Sequence, residues 1–493
     1  MQILKKLYCF LFCFTALTSW GQDYFYKVYS SGNFDIGEGI CQLPDSSYLV
    51  TGSSGGFNTT SPQAFVMKVS KTGKQLWTVN KGGEEAETGR RIFYLNDTIY
   101  LFGRTNSFGN SYDYYFLKLD TLGQTISEQT LGTADFEWLQ DVVFLPKDGT
   151  FVLYGYWQEN NGFARKRQVL KVNRQGAILW QRDFPMHLEA QLKNAHAITD
   201  STFAITGSEY NENRQKFDGL FYSFDSAGNL IDSLRYFQDT ARDYCFNDFA
   251  QSDDYLLITA NSSFINNEDI FMDYLTIRFN PNTDEANVSA GGIGNTYLTS
   301  LEYIVRKKND PEMYYIIERA KSSNFPIFGD GHWDEQIYFY HYSLGSLYWD
   351  KTITNVSSHG NDVTNQMIIT LDGGVISVGY NEYFANNTQN IFLLKIANND
   401  NAVAQNAPPT VESLLKVYSN QKEFQLTIFP NPVENIITIA SDEDLEISII
   451  DLNGKHYLST TSKKIDISTL QSGVYFLRVN ANLSSKIIKF VKQ

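Results

Sequence analysis

The chain has 493 residues and a formal net charge of −15, with 31 Tyr, 35 Phe and an ordinary apolar share of 42%. A surface this acidic repels phosphate backbones and argues against nucleic-acid binding. Length allows two to four domains, and abundant aromatics with many Gly and Asn suit short strands joined by tight turns.

Lys5 and Lys6 precede an apolar run from Leu7 to Leu17, and Ser19 and Gly21 stand at −3 and −1 of a cleavage before Gln22. This is the layout of a secretory signal peptide, so residues 1–21 are expected to be a leader. Its removal takes two lysines and moves the charge from −15 to −17. The run is too short for a comfortable span and no later stretch reaches ~18 apolar residues, so no transmembrane helix is expected. Phe12 before Cys13 is too large for a lipoprotein cleavage site. Past the leader only Cys41 and Cys245 remain, expected to be small buried hydrophobes rather than a bridge.

Residues 22–404 carry a repeat. An apolar strand closing on Gly or a near substitute recurs roughly every 50 residues. Examples are Tyr48-Leu49-Val50-Thr51-Gly52, Tyr100-Leu101-Phe102-Gly103, Val152-Leu153-Tyr154-Gly155 and Val375-Ile376-Ser377-Val378-Gly379. A second strand follows each, as in Phe65-Val66-Met67-Lys68-Val69 or Phe392-Leu393-Leu394-Lys395-Ile396. A turn glycine lies five residues past the Lys position at Gly73, Gly123, Gly176 and Gly228. Four short strands per unit, recurring along the chain, predict an all-β fold, a seven-bladed β-propeller. The units resemble secreted propeller repeats with a D-x-Y-x-x-K-x-D-x-x-G-x-x-x-W core.

Closure of the ring is also predicted. The last copy runs into Asn398-Asn399-Asp400-Asn401 with no aromatic fourth strand, whereas Phe25-Tyr26-Lys27-Val28 aligns with Trp77-Thr78-Val79-Asn80. The first strand is therefore expected to complete the last blade and hide an edge. The competing candidate for that place is Ala402-Val403-Ala404.

No zinc pattern, nucleophile elbow, Walker loop or dinucleotide fingerprint occurs, so no catalytic residue, metal or cofactor is assigned. One loop departs from the repeat, in Lys321 to Asp334, where the gap between second and third strands is widest. Insertions in repeat proteins often map to the binding face. Asp330, His332, Trp333 and Asp334 are thus candidate ligand residues, an aromatic flanked by acids suited to a sugar ring. The plainer alternative is a longer turn covering a blade edge.

Residues 405–420, with Asn406-Ala407-Pro408-Pro409-Thr410 and no clear strand, read as a linker. Beyond it, residues 421–493 alternate in the period of strands, as in Glu446-Ile447-Ser448-Ile449, and Asn453-Gly454 predicts a type I′ hairpin turn. Pro430 and Pro432 bracket Asn431 and cannot donate ladder hydrogen bonds, which predicts a strand start at an edge. The order of Phe429-Pro430-Asn431-Pro432, Ile449-Ile450-Asp451-Leu452-Asn453-Gly454-Lys455, Gly473-Val474-Tyr475-Phe476-Leu477 and Lys486-Ile487-Ile488-Lys489-Phe490 resembles the type A C-terminal sorting domain of the Bacteroidota type IX secretion system.

That resemblance implies a small Ig-like β-sandwich with Pro430, Asn431, Pro432, Asp451, Gly454, Lys455, Gly473 and Lys489 as its motif residues. It implies the type IX machinery and a sortase-like peptidase as partners. It implies release or surface attachment after passage through the periplasm. The function expected from the sequence is a secreted or cell-surface module that binds protein or glycan, with a glycan-acting hydrolase or lyase at one mouth of the ring as the alternative.

Overall fold

The computed structural model describes residues 25–397, 410–413 and 427–493, apart from 58, 110, 134, 160–163, 188, 267–268, 282, 284, 292–296, 308–312, 323–332, 344–345, 356–361, 383–387, 442–444, 452–455 and 482–483. The expected leader, residues 402–404 and the Asn453-Gly454 turn lie outside them. Among the described residues the regular elements are strands throughout. Contacts divide the chain into two bodies, Met1–Val417 and Tyr418–Gln493.

In the first body, four-stranded antiparallel sheets succeed one another over residues 35–81, 87–131, 136–186 and 192–236. The next two runs, 243–291 and 297–355, are joined into one sheet by a parallel bridge between Met272 and Leu298. The last sheet combines the three strands of 362–396 with the N-terminal strand Phe25–Ser30. The first strand of each sheet packs beside the first strand of the next, and Asp362–Ile369 packs on Asp35–Gln42 to close the circuit. This is a β-propeller-like ring.

The apolar alternation dictates the packing. Each sheet buries both faces against its neighbours, as in the cluster where Phe102 and Phe116 meet Phe151 of the following sheet. Phe102 lies 4.8 Å from Phe116 and 4.7 Å from Phe151, ring centre to ring centre. Such pairs add to the area term, each by about 0.5–1.5 kcal/mol.

Every innermost strand carries a bulge near the same point. The register slips between Gly37 and Gly39, Gly89 and Arg91, Leu139 and Asp141, Leu192 and Ala195, Phe246 and Asp248, Leu301 and Tyr303, and Thr364 and Gln366. A bulge puts two residues opposite one and bends the strand. Here it throws a carbonyl over the neighbouring strand, which explains the repeated glycine there. A Cβ at Gly52, Gly103, Gly155 or Gly379 would run into the carbonyl oxygen of Ile36, Thr88, Trp138 or Val363. The turn glycines obey a different constraint. Gly73, Gly123, Gly176 and Gly228 have φ of 83°, 79°, 85° and 79°, the left-handed region that L side chains avoid.

The N-terminal strand closes the ring as expected. Phe25–Ser30 pairs antiparallel with Asn390–Ile396, Phe25 lying opposite Lys395 just as Trp77 lies opposite Lys68. Val28 and Tyr29 are fully buried. Gly73 packs beneath Phe25, and Gly123 beneath Trp77, so the two aromatics occupy equivalent places. The linker expectation needs correction. Thr410–Ser413 is a strand, and it pairs parallel with Phe25–Ser30 as a fifth member of the last sheet. Thr410, Val411 and Ser413 suit an edge strand, and the preceding Pro408-Pro409 masked that signal.

The second body holds a three-stranded sheet built from Thr427–Phe429, Ile436–Ala440 and Lys464–Asp466 and a four-stranded sheet built from Glu446–Asp451, His456–Thr460, Gly473–Ala481 and Ser484–Lys492. Alternate residues of both sheets, among them Ile437, Ile439, Ile447, Ile449, Leu477 and Val479, form one core.

Candidate functional site

The bulged strands deliver polar side chains to the axis of the ring. Arg91 Nε lies 2.6 Å from Asp141 Oδ1, with both side chains almost fully buried. Asp141 also accepts the Val142 N–H at 2.8 Å and the Ala195 N–H of the next sheet at 2.9 Å. Asp248 repeats the arrangement, accepting the Phe249 N–H at 2.9 Å and the Ile304 N–H at 3.0 Å. Gln366 Oε1 accepts the Ile40 N–H at 2.7 Å, and Asn365 Nδ2 donates to the Gly37 carbonyl at 2.9 Å. One acceptor at the bulge thus ties a sheet to its successor, and the last pair joins the end of the ring to its beginning.

These acids are engaged in structure. Burial would raise the Asp141 carboxyl, but Arg91 and Arg90 outweigh it and hold it below its ordinary value. Burial would lower His196, but the Asp248 charge, 2.6 Å away, raises it above its ordinary value. Glu38 pairs with Arg90 and lies 3.8 Å from Arg104. Lys193 lies 3.9 Å from Glu302. Among the described residues no group of three His, Cys, Asp or Glu is placed to hold a metal. Cys41 and Cys245 are free thiols, pushed up by burial to about 12 and about 11, so neither is a nucleophile at neutral pH.

A different surface forms where the innermost strands begin. Phe136 and Trp138 alternate along Phe136–Leu145, and Tyr156 stands directly opposite Trp138 on Thr150–Gln158. Both rings of the first strand are parallel to within 10°, 5.9 Å apart, and Tyr156 is tilted 19° from Trp138 at 6.4 Å. Tyr112 meets them edge-on, 5.8 Å from Phe136. All four rings are partly exposed. The period-2 spacing sends Phe136 and Trp138 to one face, while Glu137 and Leu139 go to the buried one.

Guanidinium groups frame this ledge. Arg104 sits 3.7 Å from the centre of the Trp138 ring and Arg165 sits 4.3 Å from that of Tyr156. Burial lowers Arg104 to about 10, with Glu38 opposing and Arg90 adding to the effect. Arg90 and Arg104 therefore share the single carboxylate of Glu38. Behind the ledge, Glu137 and Asp113 are hydrogen-bonded to each other; burial chiefly pushes Glu137 up to about 7, and it also raises Asp113. Thr133 donates to Glu137 Oε1 from its N–H at 3.0 Å and its hydroxyl at 2.6 Å.

A cavity of about 460 Å³ lies between the first two sheets and the last, lined by Ile40, Cys41, Phe93, Gln366, Ile368 and Leu371 among others. Its walls are largely apolar, and its polar members are already engaged: Gln366 with the Ile40 N–H, Gln42 with the Leu371 N–H, and Thr370 with Asp372.

The residues singled out in the sequence fall differently. Asp330 and His332 lie outside the described residues. Trp333 and Asp334 are in the strand Trp333–Ser343, opposite Lys321 and Ala320, and so belong to a lengthened hairpin rather than to the loop itself. The ledge was missed, although Phe136-x-Trp138 with Tyr156-Trp157 in the next strand is a local excess of aromatics on alternating positions. In the second body, Asn431 and Lys489 are brought together. Asn431 Nδ2 donates to the Lys489 carbonyl at 3.2 Å and its Oδ1 accepts the Val491 N–H at 3.0 Å. The Asn side chain thereby supplies the ladder that Pro430 and Pro432 cannot. Val433 then continues it, bridging to Lys492. Asp451 accepts the Tyr457 hydroxyl at 3.1 Å. Gly473 opens the strand Gly473–Ala481 opposite Lys492, and Gly454 and Lys455 lie outside the described residues.

Comparison with known proteins gives three results. No curated protein matches the chain. Similar solved structures include the Pseudomonas brassicacearum lignostilbene dioxygenase, at 9% identity over 78% of this chain and 94% of that one, with a TM-score of 0.41. Another is the Pseudomonas aeruginosa periplasmic gluconolactonase, at 12% identity over 68% and 96%, with a TM-score of 0.42. These values transfer no activity, and the fold assignment rests on the strand pairing above. Among the described residues no helix is long and apolar enough to cross a membrane. Residues 427–493 match the family described as the secretion system C-terminal sorting domain. That tail makes the protein a cargo of the type IX secretion system, carried through the periplasm to the cell surface or the extracellular space.

Proposed function

We propose that this cargo is an extracellular binding module, a seven-bladed propeller delivered by an Ig-like sorting domain after loss of a leader at residues 1–21. The seven bulged inner strands and the Gln366–Ile40 contact support the blade count. The ligand is a protein or a glycan. The observation that carries this reading is the partly exposed ledge of Tyr112, Phe136, Trp138 and Tyr156 at one mouth of the ring. Aromatic faces bury large area at little conformational cost, and such residues dominate recognition surfaces. A hydrolase or lyase would need carboxylates open to substrate. The axial acids instead bind arginines, histidine and backbone N–H groups, which favours binding over catalysis.

The domain scheme proposed is a propeller ending with the strand Thr410–Ser413 and a sorting domain from about residue 421. The loop before Trp333 remains a second candidate contact in this scheme. Deleting residues 421–493 should strand the protein in the periplasm, as read by fractionation and surface protease shaving. Its continued arrival at the surface overturns the sorting role. Ligand identity is approached by screening the secreted protein on a glycan array with Trp138→Ala and Trp333→Ala beside it. Unchanged binding in both removes both candidates.

A further inference from the structure

The exposed large hydrophobic side chains of the first body sort by face. Among its described residues Phe34, Phe108 and Phe237 lie at the mouth that carries the ledge. Every exposed Leu and Ile lies at the opposite mouth, where the innermost strands end, from Leu122 in the second sheet to Leu371 in the last. Aromatic rings mark one face and aliphatic side chains the other.

A repeated device builds the aliphatic face. The outermost strand of each of the first four sheets is bulged at its second residue. Trp77 pairs with Lys68 and Gln75 with Val69, which leaves Leu76 outside the ladder. Ile126, Leu179 and Ile231 are left out in the same way, after Thr125, Ile178 and Leu230. A bulge re-aims a side chain, and Ile126, Leu179 and Ile231 are 57%, 51% and 57% exposed. Ile178 and Leu230 beside them are exposed as well. Successive stations adjoin. Gln129 of the second outer strand donates to the Gln175 carbonyl in the third sheet's turn at 3.2 Å, and the fourth sheet's turn packs its Gly228 on Trp180, next to Leu179. Scattered exposed aliphatics are ordinary, whereas a row of them marks a contact surface.

Shape, chemistry and charge narrow the partner. Equivalent positions of rotated units lie at one height along the ring axis, so the bulged side chains share a plane. Protein-binding hot spots favour Trp, Tyr and Arg over Leu, and the exposed members of this row are all aliphatic. A stable pair of copies needs about 20–30 residues a side, far more than the row supplies. The turns beside it carry Lys71, Lys74 and Arg174 against Asp120 and Asp225, close to neutral on a chain of −15. A flat, apolar, uncharged layer meets all these conditions.

We propose that this face of the ring rests on a lipid bilayer with zwitterionic headgroups, with Ile126, Leu179 and Ile231 reaching the acyl boundary. The ledge, at the opposite mouth, then points away from the bilayer and stays open to its own ligand. Binding follows the apolar area inserted and is insensitive to salt. It is reversible, because few side chains insert. The contact is independent of any ligand at the ledge.

The test uses the full chain with vesicles of phosphatidylcholine and vesicles of phosphatidylglycerol, measured by flotation, with light scattering for the oligomeric state. The expected result is binding to phosphatidylcholine that changes less than twofold between about 50 and about 500 mM NaCl. Leu179→Ser combined with Ile231→Ser should weaken it at least fivefold, and Ile126→Ser alone severalfold. Phe34→Ser, on the other face, should leave it unchanged. All are exposed positions, and an unchanged urea midpoint separates lost binding from lost fold. Binding that survives both changes to the row, or that falls with Phe34→Ser, overturns the assignment of this face. Binding to phosphatidylglycerol alone, lost with salt, overturns the apolar contact. Dimers that disappear in the double variant, with no vesicle bound, give the row to a second copy and overturn the lipid proposal. Failure to float with either vesicle overturns it outright.

Discussion

Asp141 offers the sharpest test of how the ring is held. Its carboxylate does three things at once: it pairs with Arg91, accepts its own strand's Val142 N–H, and accepts the Ala195 N–H of the next sheet. Replacing it with Ala leaves the Arg91 guanidinium buried without its carboxylate. Removing one member of a buried pair costs about 3–5 kcal/mol. The orphaned N–H groups add about 1–3 kcal/mol each when taken alone, but shared networks are not additive. The expected total is therefore about 3–5 kcal/mol for Asp141→Ala. Urea unfolding followed by tryptophan fluorescence reads it cleanly, because all seven Trp precede residue 350 and the sorting domain has none. The double variant Arg91→Met with Asp141→Leu should recover much of the loss, since no charge is then stranded. Asp141 is also held below its ordinary value, so its contribution is present above the unfolded value near pH ~4 and fades as pH falls through the folded one. Asp141→Ala should accordingly flatten the acid limb of the stability curve. A single substitution costing under about 1 kcal/mol, or a double variant as weak as the sum of its parts, would refute the stitching argument.

Glu137 behaves in the opposite sense. Its folded value is raised to about 7, so its contribution is intact below the unfolded value of about 4.3 and is lost as pH rises through about 7. Glu137→Gln should raise the urea midpoint at pH 8 and change it little at pH 5; the same shift at both pH values disproves the proton-sharing pair. The N-terminal clasp predicts a third outcome. Tyr29 donates to the Gly73 carbonyl at 2.5 Å in a buried setting, so Tyr29→Phe should cost about 1 kcal/mol. Deleting residues 25–30 bares one edge of Asn390–Ile396 and strips Thr410–Ser413 of its partner, and should give aggregation instead of a cooperative transition. A monomeric, cooperatively folding deletion counts against the clasp.

Much of the fold was legible because the repeat records local constraints. Gly73 and its equivalents need a left-handed φ, and Gly52 and its equivalents need room under a bulged carbonyl, so both leave a visible period. The offset linking Phe25 to Trp77 disclosed the clasp for the same reason, since both rings sit over a turn glycine. Lys68, Lys171 and Lys395 form another such series, pairing with Asp45, Asp148 and Asp372. What the sequence hid depends on partners far along the chain. Thr410–Ser413 is four residues long and finds its ladder only beside a strand made almost 400 residues earlier. The ledge joins Arg104 of one sheet to Trp138 of the next, a contact no spacing rule reports. The loop near Trp333 drew attention by its length, whereas the aromatic ledge sits in units of ordinary length.

The clasp also orders events in time. Phe25–Ser30 is made before the rest of the ring, whereas its two neighbours, Asn390–Ile396 and Thr410–Ser413, are made after it. Closing so long a loop is entropically slow. The ring therefore cannot close before residues 390–413 have been made. The beginning of the ring is thus its final fastening.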